Sequence, residues 1–230
     1  GNDSAYAGLP MLINVLQRLG IQETLTNFPL LAELNLANHI LWACVNKLVI
    51  NPDDSVCDWL TAKNKLPGSH SYCPFVAPAS WLTTLFSQHR AHTLVTRRVL
   101  GKSNKHLLCD SSGLAVLAIW QGKTPAAVSQ LMEGRTIKFM PAAKDNGDLQ
   151  QITGTYLFAI KRYLRRYART GLRQMVARPA RLAVTKTHLD VTLPMRTVDI
   201  DMRKAGLDID PGWVPWLGRV VQFYYVENQE

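Results

Sequence analysis

Between residues 149 and 189 the chain carries nine Lys or Arg (Lys161, Arg162, Arg165, Arg166, Arg169, Arg173, Arg178, Arg181, Lys186) and no Asp or Glu. The apolar residues in this stretch set what it can fold into. Leu157, Ile160, Leu164, Ala168, Leu172 and Met175 recur at three- and four-residue steps, which predicts a helix over 153–177 with one face in a core. Lys161, Arg165, Arg169 and Arg173 form a neighbouring stripe at four-residue steps, with Arg162 and Arg166 beside it. After Pro179 the period drops to two, which predicts one long strand over 181–193. A helical pattern giving way to a strand pattern points to an α+β chain.

The remaining pattern extends that reading. From residue 5 to 66 it is helical: Leu9, Leu12, Ile13, Leu16 and Leu19 share a face, Gly20 follows as a stop, and Pro29 opens a second helix. Asp53 or Asp54 is placed to cap a short helix. Residues 65–78 hold Pro67, Gly68, Ser69, Pro74 and Pro78 and read as a loop. A helix over 79–100 is predicted from Trp81, Leu82, Leu85, Phe86, Leu94 and Val95. Residues 105–109 and 114–120 read as a hairpin across Asp110–Gly113, and Thr124-Pro125 opens a small helix. A helix from about 197 to 205 stops at Gly206, and 219–226 is a final strand. The expectation is a predominantly helical α+β fold with a small antiparallel sheet. It divides into a helical part (1–66), a loop (67–78) and an α+β part (79–230), or forms one compact domain.

The whole chain has 26 basic and 17 acidic residues, a net charge of +9, so everything outside the basic stretch sums to zero. Like charges one helical turn apart repel by roughly a few tenths of a kcal/mol per pair, so something must offset them. Three partners fit: carboxylates of the chain itself, an acidic protein surface, or a polyanion such as nucleic acid. Over 161–181 arginine outnumbers lysine seven to one, which favours fixed, bidentate carboxylate contacts. The nucleic-acid alternative uses the arginine-rich helix 161–181, with Tyr156, Tyr163 and Tyr167 available to stack bases.

No catalytic, cofactor or metal pattern competes with this stretch. Asp199, Asp201, Asp208 and Asp210 lie close in sequence but lack the spacing of a calcium loop; capping and turn roles explain them. His89 and His92, like His70, Cys57 and Cys73, match no zinc pattern. Asp110-Ser111-Ser112-Gly113 lacks the glycines of a nucleophile elbow. Trp213 and Trp216 are expected to plug the core; if exposed they would be interface anchors. Four irregularly spaced cysteines predict a reduced, cytoplasmic protein, and no run of apolar residues approaches the roughly 20 that span a bilayer. Lacking a basic opening and an initiator Met, the chain is expected to be an excised fragment with a tag scar rather than to carry a signal peptide.

Two segments carry a resemblance. One is Ala5-Tyr6-Ala7-Gly8-Leu9-Pro10-Met11-Leu12-Ile13, continuing to Leu19-Gly20. The other runs from His188-Leu189-Asp190-Val191-Thr192-Leu193 through Gly206, Asp208, Asp210, Pro211, Gly212, Trp213, Val214 and Pro215 to Gly218-Arg219. Together they resemble the C-terminal region of tape-measure-type proteins of extracellular contractile injection systems. That resemblance implies a non-enzymatic assembly component of a phage-tail-like particle. Its partners would be other particle proteins or the assembly machinery, and it would be released as part of the particle. The docking candidates are Lys161, Arg162, Arg165, Arg166, Arg169 and Arg173, and the 206–215 turn is structural or an interface.

Overall fold

The computed structural model describes residues 1–61 and 72–227. Of the predicted 67–78 loop, residues 67–71 lie outside the described residues, as does His70. In chain order the elements are β1 (Asn2–Ser4), α1 (Leu12–Arg18), α2 (Ile21–Asn27), α3 (Pro29–Glu33), α4 (Leu36–Leu48), β2 (Phe75–Val76), α5 (Trp81–Thr84), α6 (Gln88–His92), β3 (Thr93–Val99) and β4 (Lys102–Cys109). There follow β5 (Val116–Gln121), α7 (Ala126–Met132), β6 (Thr136–Phe139), α8 (Asp148–Tyr167), α9 (Leu172–Val176), β7 (Ala180–Val184), β8 (His188–Pro194), α10 (Ile200–Lys204), β9 (Gly212–Val214) and β10 (Arg219–Val226). Asp54 caps a short 3-10 turn over Ser55–Cys57 by accepting the Val56 N–H at 2.9 Å.

The α+β class holds, but neither the predominance of helix nor the small antiparallel sheet does. Among the described residues there are two five-stranded sheets, ordered β1-β7-β8-β10-β9 and β2-β5-β4-β3-β6. Each is mixed, with one parallel pair: β8 with β10 in the first, β3 with β6 in the second. The 105–120 hairpin therefore shares no sheet with the C-terminal strands. Three predicted elements are also redrawn. The 79–100 helix is two short helices followed by β3, whose β-branched Thr93, Val95, Thr96 and Val99 favour a strand; Val95 and Thr96 pair on both sides, with β4 and β6. The 181–193 strand is a hairpin whose turn is tied by Thr185: its N–H donates to the His188 carbonyl at 2.9 Å, and its Oγ1 accepts the His188 N–H at 2.9 Å. The 153–177 helix breaks after Tyr167.

Compact units do not follow the contiguous 1–66 and 79–230 partition. One unit comprises Gly1–Gln22, Ala37–Asn64 and Ile160–Glu230; the other comprises Glu23–Leu36 and Lys65–Ala159. In the first, the buried side chains come from α1 (Leu12, Ile13, Leu16), α4 (Ile40, Leu41, Cys44, Val45), α9 (Met175, Val176) and one face of the sheet (Leu189, Val191, Leu193, Val221, Phe223). In the second, β5 is buried over Val116–Trp120 on both faces, and Tyr156 is fully enclosed. The Tyr156 hydroxyl donates to Thr24 Oγ1 at 2.8 Å, and its ring meets Trp81 edge-on with centroids 4.9 Å apart, a contact adding about 1 kcal/mol. In the same unit Lys105, almost fully buried, pairs with Asp148 and lies 3.5 Å from Asp145; Asp148 also accepts the Cys73 N–H at 2.8 Å. By sequence the first unit holds sixteen Lys or Arg against eleven Asp or Glu, and the second ten against six, so both are cationic.

Candidate docking surface

Helix α8 starts with Asp148, a carboxylate in the first turn, where it complements the helix dipole. Its last eight residues belong to the first unit, and there Ile160, Tyr163 and Leu164 are buried while Arg165, Arg166 and Tyr167 are exposed. Arg169 then takes a left-handed conformation (φ 50°), and the Thr170 N–H closes back on the Leu164 carbonyl at 3.2 Å, so the helix cannot continue. The stripe predicted on one helix is thus split. Lys161 and Arg165 lie one turn apart on α8, Arg169 sits in the break, and Arg173 rides on α9.

Arg178 and Arg181 are committed to structure through carboxylates. Arg178 is buried, donating to the Met175 carbonyl at 3.0 Å and to the Thr197 carbonyl, and pairing with Asp199 at 3.3 Å. Arg181 pairs with Asp3 at 3.3 Å across β1 and β7, a solvent-exposed contact of small net value. Around α8 the arrangement differs. Burial lowers the Lys161 ammonium below its ordinary value, repulsion from Lys47 lowers it further, and Arg165 adds to that, against the Cys44 thiol. Arg173 Nη2 donates to the Leu48 carbonyl at the end of α4, at 3.4 Å. Among the described residues no carboxylate lies within ion-pair distance of Lys161, Arg165, Arg169 or Arg173. Lys47 joins this cluster through the fold alone; a single lysine at the end of an apolar helix carries no periodic signal.

The aromatic residues near it are mostly withdrawn. Tyr156 and Tyr163 are buried, and only Tyr167 is exposed, with its ring 4.6 Å from that of Tyr163 and the Arg166 guanidinium 5.6 Å from its centre.

The 206–215 turn is built into the first unit by hydrogen bonds. The Asn14 amide on α1 donates to the Leu207 carbonyl at 3.1 Å and the Ile209 carbonyl at 2.7 Å. Asp210 accepts the Phe223 N–H at 2.6 Å, and the Tyr225 hydroxyl donates to the Asp208 carbonyl at 2.7 Å. Gly206 and Gly212 both have positive φ, 66° and 68°. Pro211 and Gly212 are half-buried and lead into β9, and Pro215 is exposed beyond it. Trp213 departs from the expected core plug: it is 59% exposed, because β9 is a sheet edge and Trp213 alternates with buried Val214.

Other sequence candidates have structural roles. Asp110 is fully buried and accepts the Leu114 N–H at 3.1 Å, the Ala115 N–H at 3.0 Å and the Ser112 hydroxyl at 2.7 Å, which ties the hairpin turn. Asp199 caps α10 through the Met202 N–H at 2.8 Å. Among the described residues no three His, Cys, Asp or Glu gather closely enough to hold a metal ion, and no helix is long and apolar enough to cross a membrane. No protein-family model, curated protein or solved structure matches the chain.

Proposed function

We propose that the chain is a non-enzymatic assembly component of a contractile injection, phage-tail-like particle, and that it docks an acidic surface of another particle protein through the cations around α8. The observation that supports the docking is the cluster itself: Lys47, Lys161 and Arg165 repel one another with no carboxylate to offset them among the described residues. A folded chain holds such a cluster at a cost, and a partner's carboxylates would repay it through bidentate arginine contacts. The particle assignment rests on the resemblance of the two terminal segments. Arginine-based nucleic-acid binding is the competing use, and it is weakened by the burial of Tyr156 and Tyr163, two of its three stacking residues.

The test is co-purification from the native host, comparing the wild type with Arg165→Glu/Arg173→Glu. Stoichiometric recovery of particle proteins that tolerates salt and is lost in the variant is the expected result. Recovery of nucleic acid instead, with affinity falling steeply with salt, would favour the competing use.

A further inference from the structure

Among the described residues the second unit has an open sheet edge. Strand β6 is the edge of the β2-β5-β4-β3-β6 sheet and runs parallel to β3, pairing Thr96 with Phe139 and Val95 with Lys138. The Met140 N–H donates to the Thr96 carbonyl at 3.0 Å. Backbone groups alternate along a strand, so Lys138 also faces β3, while the N–H and C=O of Ile137 and Phe139 point outward. Among the described residues no hydrogen bond closes on them. Phe139 is 87% exposed, and Thr136 and Lys138 are exposed beside it. Natural edges are usually blunted or covered; this one is blunted by its four-residue length and by Lys138, and no described residue hydrogen-bonds to its outer side.

The two faces of this edge differ in what β6 itself presents, Lys138 on one and Phe139 on the other. β3 and β6 contain no Asp or Glu. Lys138 and Arg97 share one face, and Phe139 shares the other with Ile137, Leu94 and Arg98. A strand laid against β6 would place alternate residues beside Lys138 on one face and beside Phe139 on the other, where cross-strand neighbours interact directly.

We infer that β6 is a strand-addition site for an extended protein segment that alternates acidic and apolar residues. The main-chain groups of Ile137 and Phe139 supply the hydrogen bonds, Lys138 selects the acidic positions, and Phe139 packs on the apolar ones. This site is independent of the cations of α8.

The probes are two fluorescein-labelled, end-capped octapeptides, one alternating Glu and Val and one alternating Lys and Val, with the whole chain as receptor. Anisotropy should show binding of the Glu peptide at least tenfold tighter than the Lys peptide. Amide exchange should slow at residues 137 and 139 when it binds. Lys138→Glu should weaken binding at least tenfold. Phe139→Pro, which removes an outward N–H at an exposed position, should abolish it. Circular dichroism controls for folding, and Lys138→Glu is a surface change that leaves the edge intact. Absence of binding, equal binding of both peptides, or competition by oligothymidylate would overturn the inference. So would binding lost on Arg165→Glu but kept in Lys138→Glu. Protection of 137 and 139 that grows with protein concentration alone would assign the edge to a second copy instead.

Discussion

Two glycines of the first unit show how single residues set tolerance here. Gly206 needs its positive φ of 66°, and an added Cβ would meet the far end of the flexible Arg18 side chain. Gly8 has an ordinary φ of −75°, yet an added Cβ would strike the Met175 carbonyl and lie 3.0 Å from the Val176 backbone. The guanidinium can swing away and the backbone cannot. Gly206→Ala should therefore cost about 1 kcal/mol, and Gly8→Ala about 2–3 kcal/mol, both read from urea midpoints; the reverse order would contradict the packing. Buried thiols contribute to the loss of stability at alkaline pH. Burial pushes Cys44 and Cys109 from 9.0 up to about 12, against the nearby cations Lys161 and Arg97. The unfolded thiols ionise first, so their contribution is intact below pH 9 and is lost as pH rises toward 12, at up to about 1.4 kcal/mol per pH unit for each. Guanidinium midpoints should fall between pH 8 and 10, and fall less steeply in Cys44→Ala/Cys109→Ala. An equal slope in the variant would exclude the thiols as the cause.

At the scale of elements, helix ends decide more than helix faces. α4 ends in a wrapped turn in which Ile50 N–H reaches the Val45 carbonyl at 3.1 Å and Val49 holds φ 57° while 84% exposed. A β-branched residue is a poor occupant of that position. Val49→Gly relieves the strain but raises the backbone entropy of the unfolded chain, which opposes the gain and leaves a net gain of about 0.5–1 kcal/mol. An unchanged or lowered urea midpoint would show that Val49 makes a compensating contact. The break at Arg169 belongs to the same class and was illegible in the sequence, because the apolar period of 157–175 continues through it from α8 into α9. The β7–β8 turn, by contrast, left a trace. Buried positions are even at Ala180 and Leu182 and odd at Leu189, Val191 and Leu193, a change of parity that a single strand cannot make. The 105–120 hairpin and β10 were legible because both strand pattern and turn chemistry are local.

On the scale of the whole molecule, the chain crosses between its two units at four points, so no single cut separates them. β1 pairs with β7, which makes the N-terminal residues part of a sheet completed far along the chain, and β2, which lies in neither the 1–66 nor the 79–230 part, pairs with β5. Expressed alone, 1–66 and 79–230 should each fail to unfold cooperatively. Sharp calorimetric transitions for either fragment would show that it folds without the other. The concentration of net charge into 149–189 also changes meaning in three dimensions. The first unit's own carboxylates take up Arg178 and Arg181, while the second unit is cationic through residues such as Arg97, Arg98 and Lys138 that no run of sequence singles out.

The sequence by itself determined the α+β class, the amphipathic character of α8, the 105–120 hairpin and the final strand, since each follows from periods and turns within a few residues. Tertiary structure decided that the strands form two mixed sheets, that the basic stripe breaks at Arg169, and that Lys47 stands beside Lys161. It also decided that Trp213 and Phe139 are exposed. Those outcomes depend on pairing partners up to about two hundred residues away, as with Asn2 and Leu182 or Asn14 and Ile209, and no local pattern encodes a neighbour at that distance.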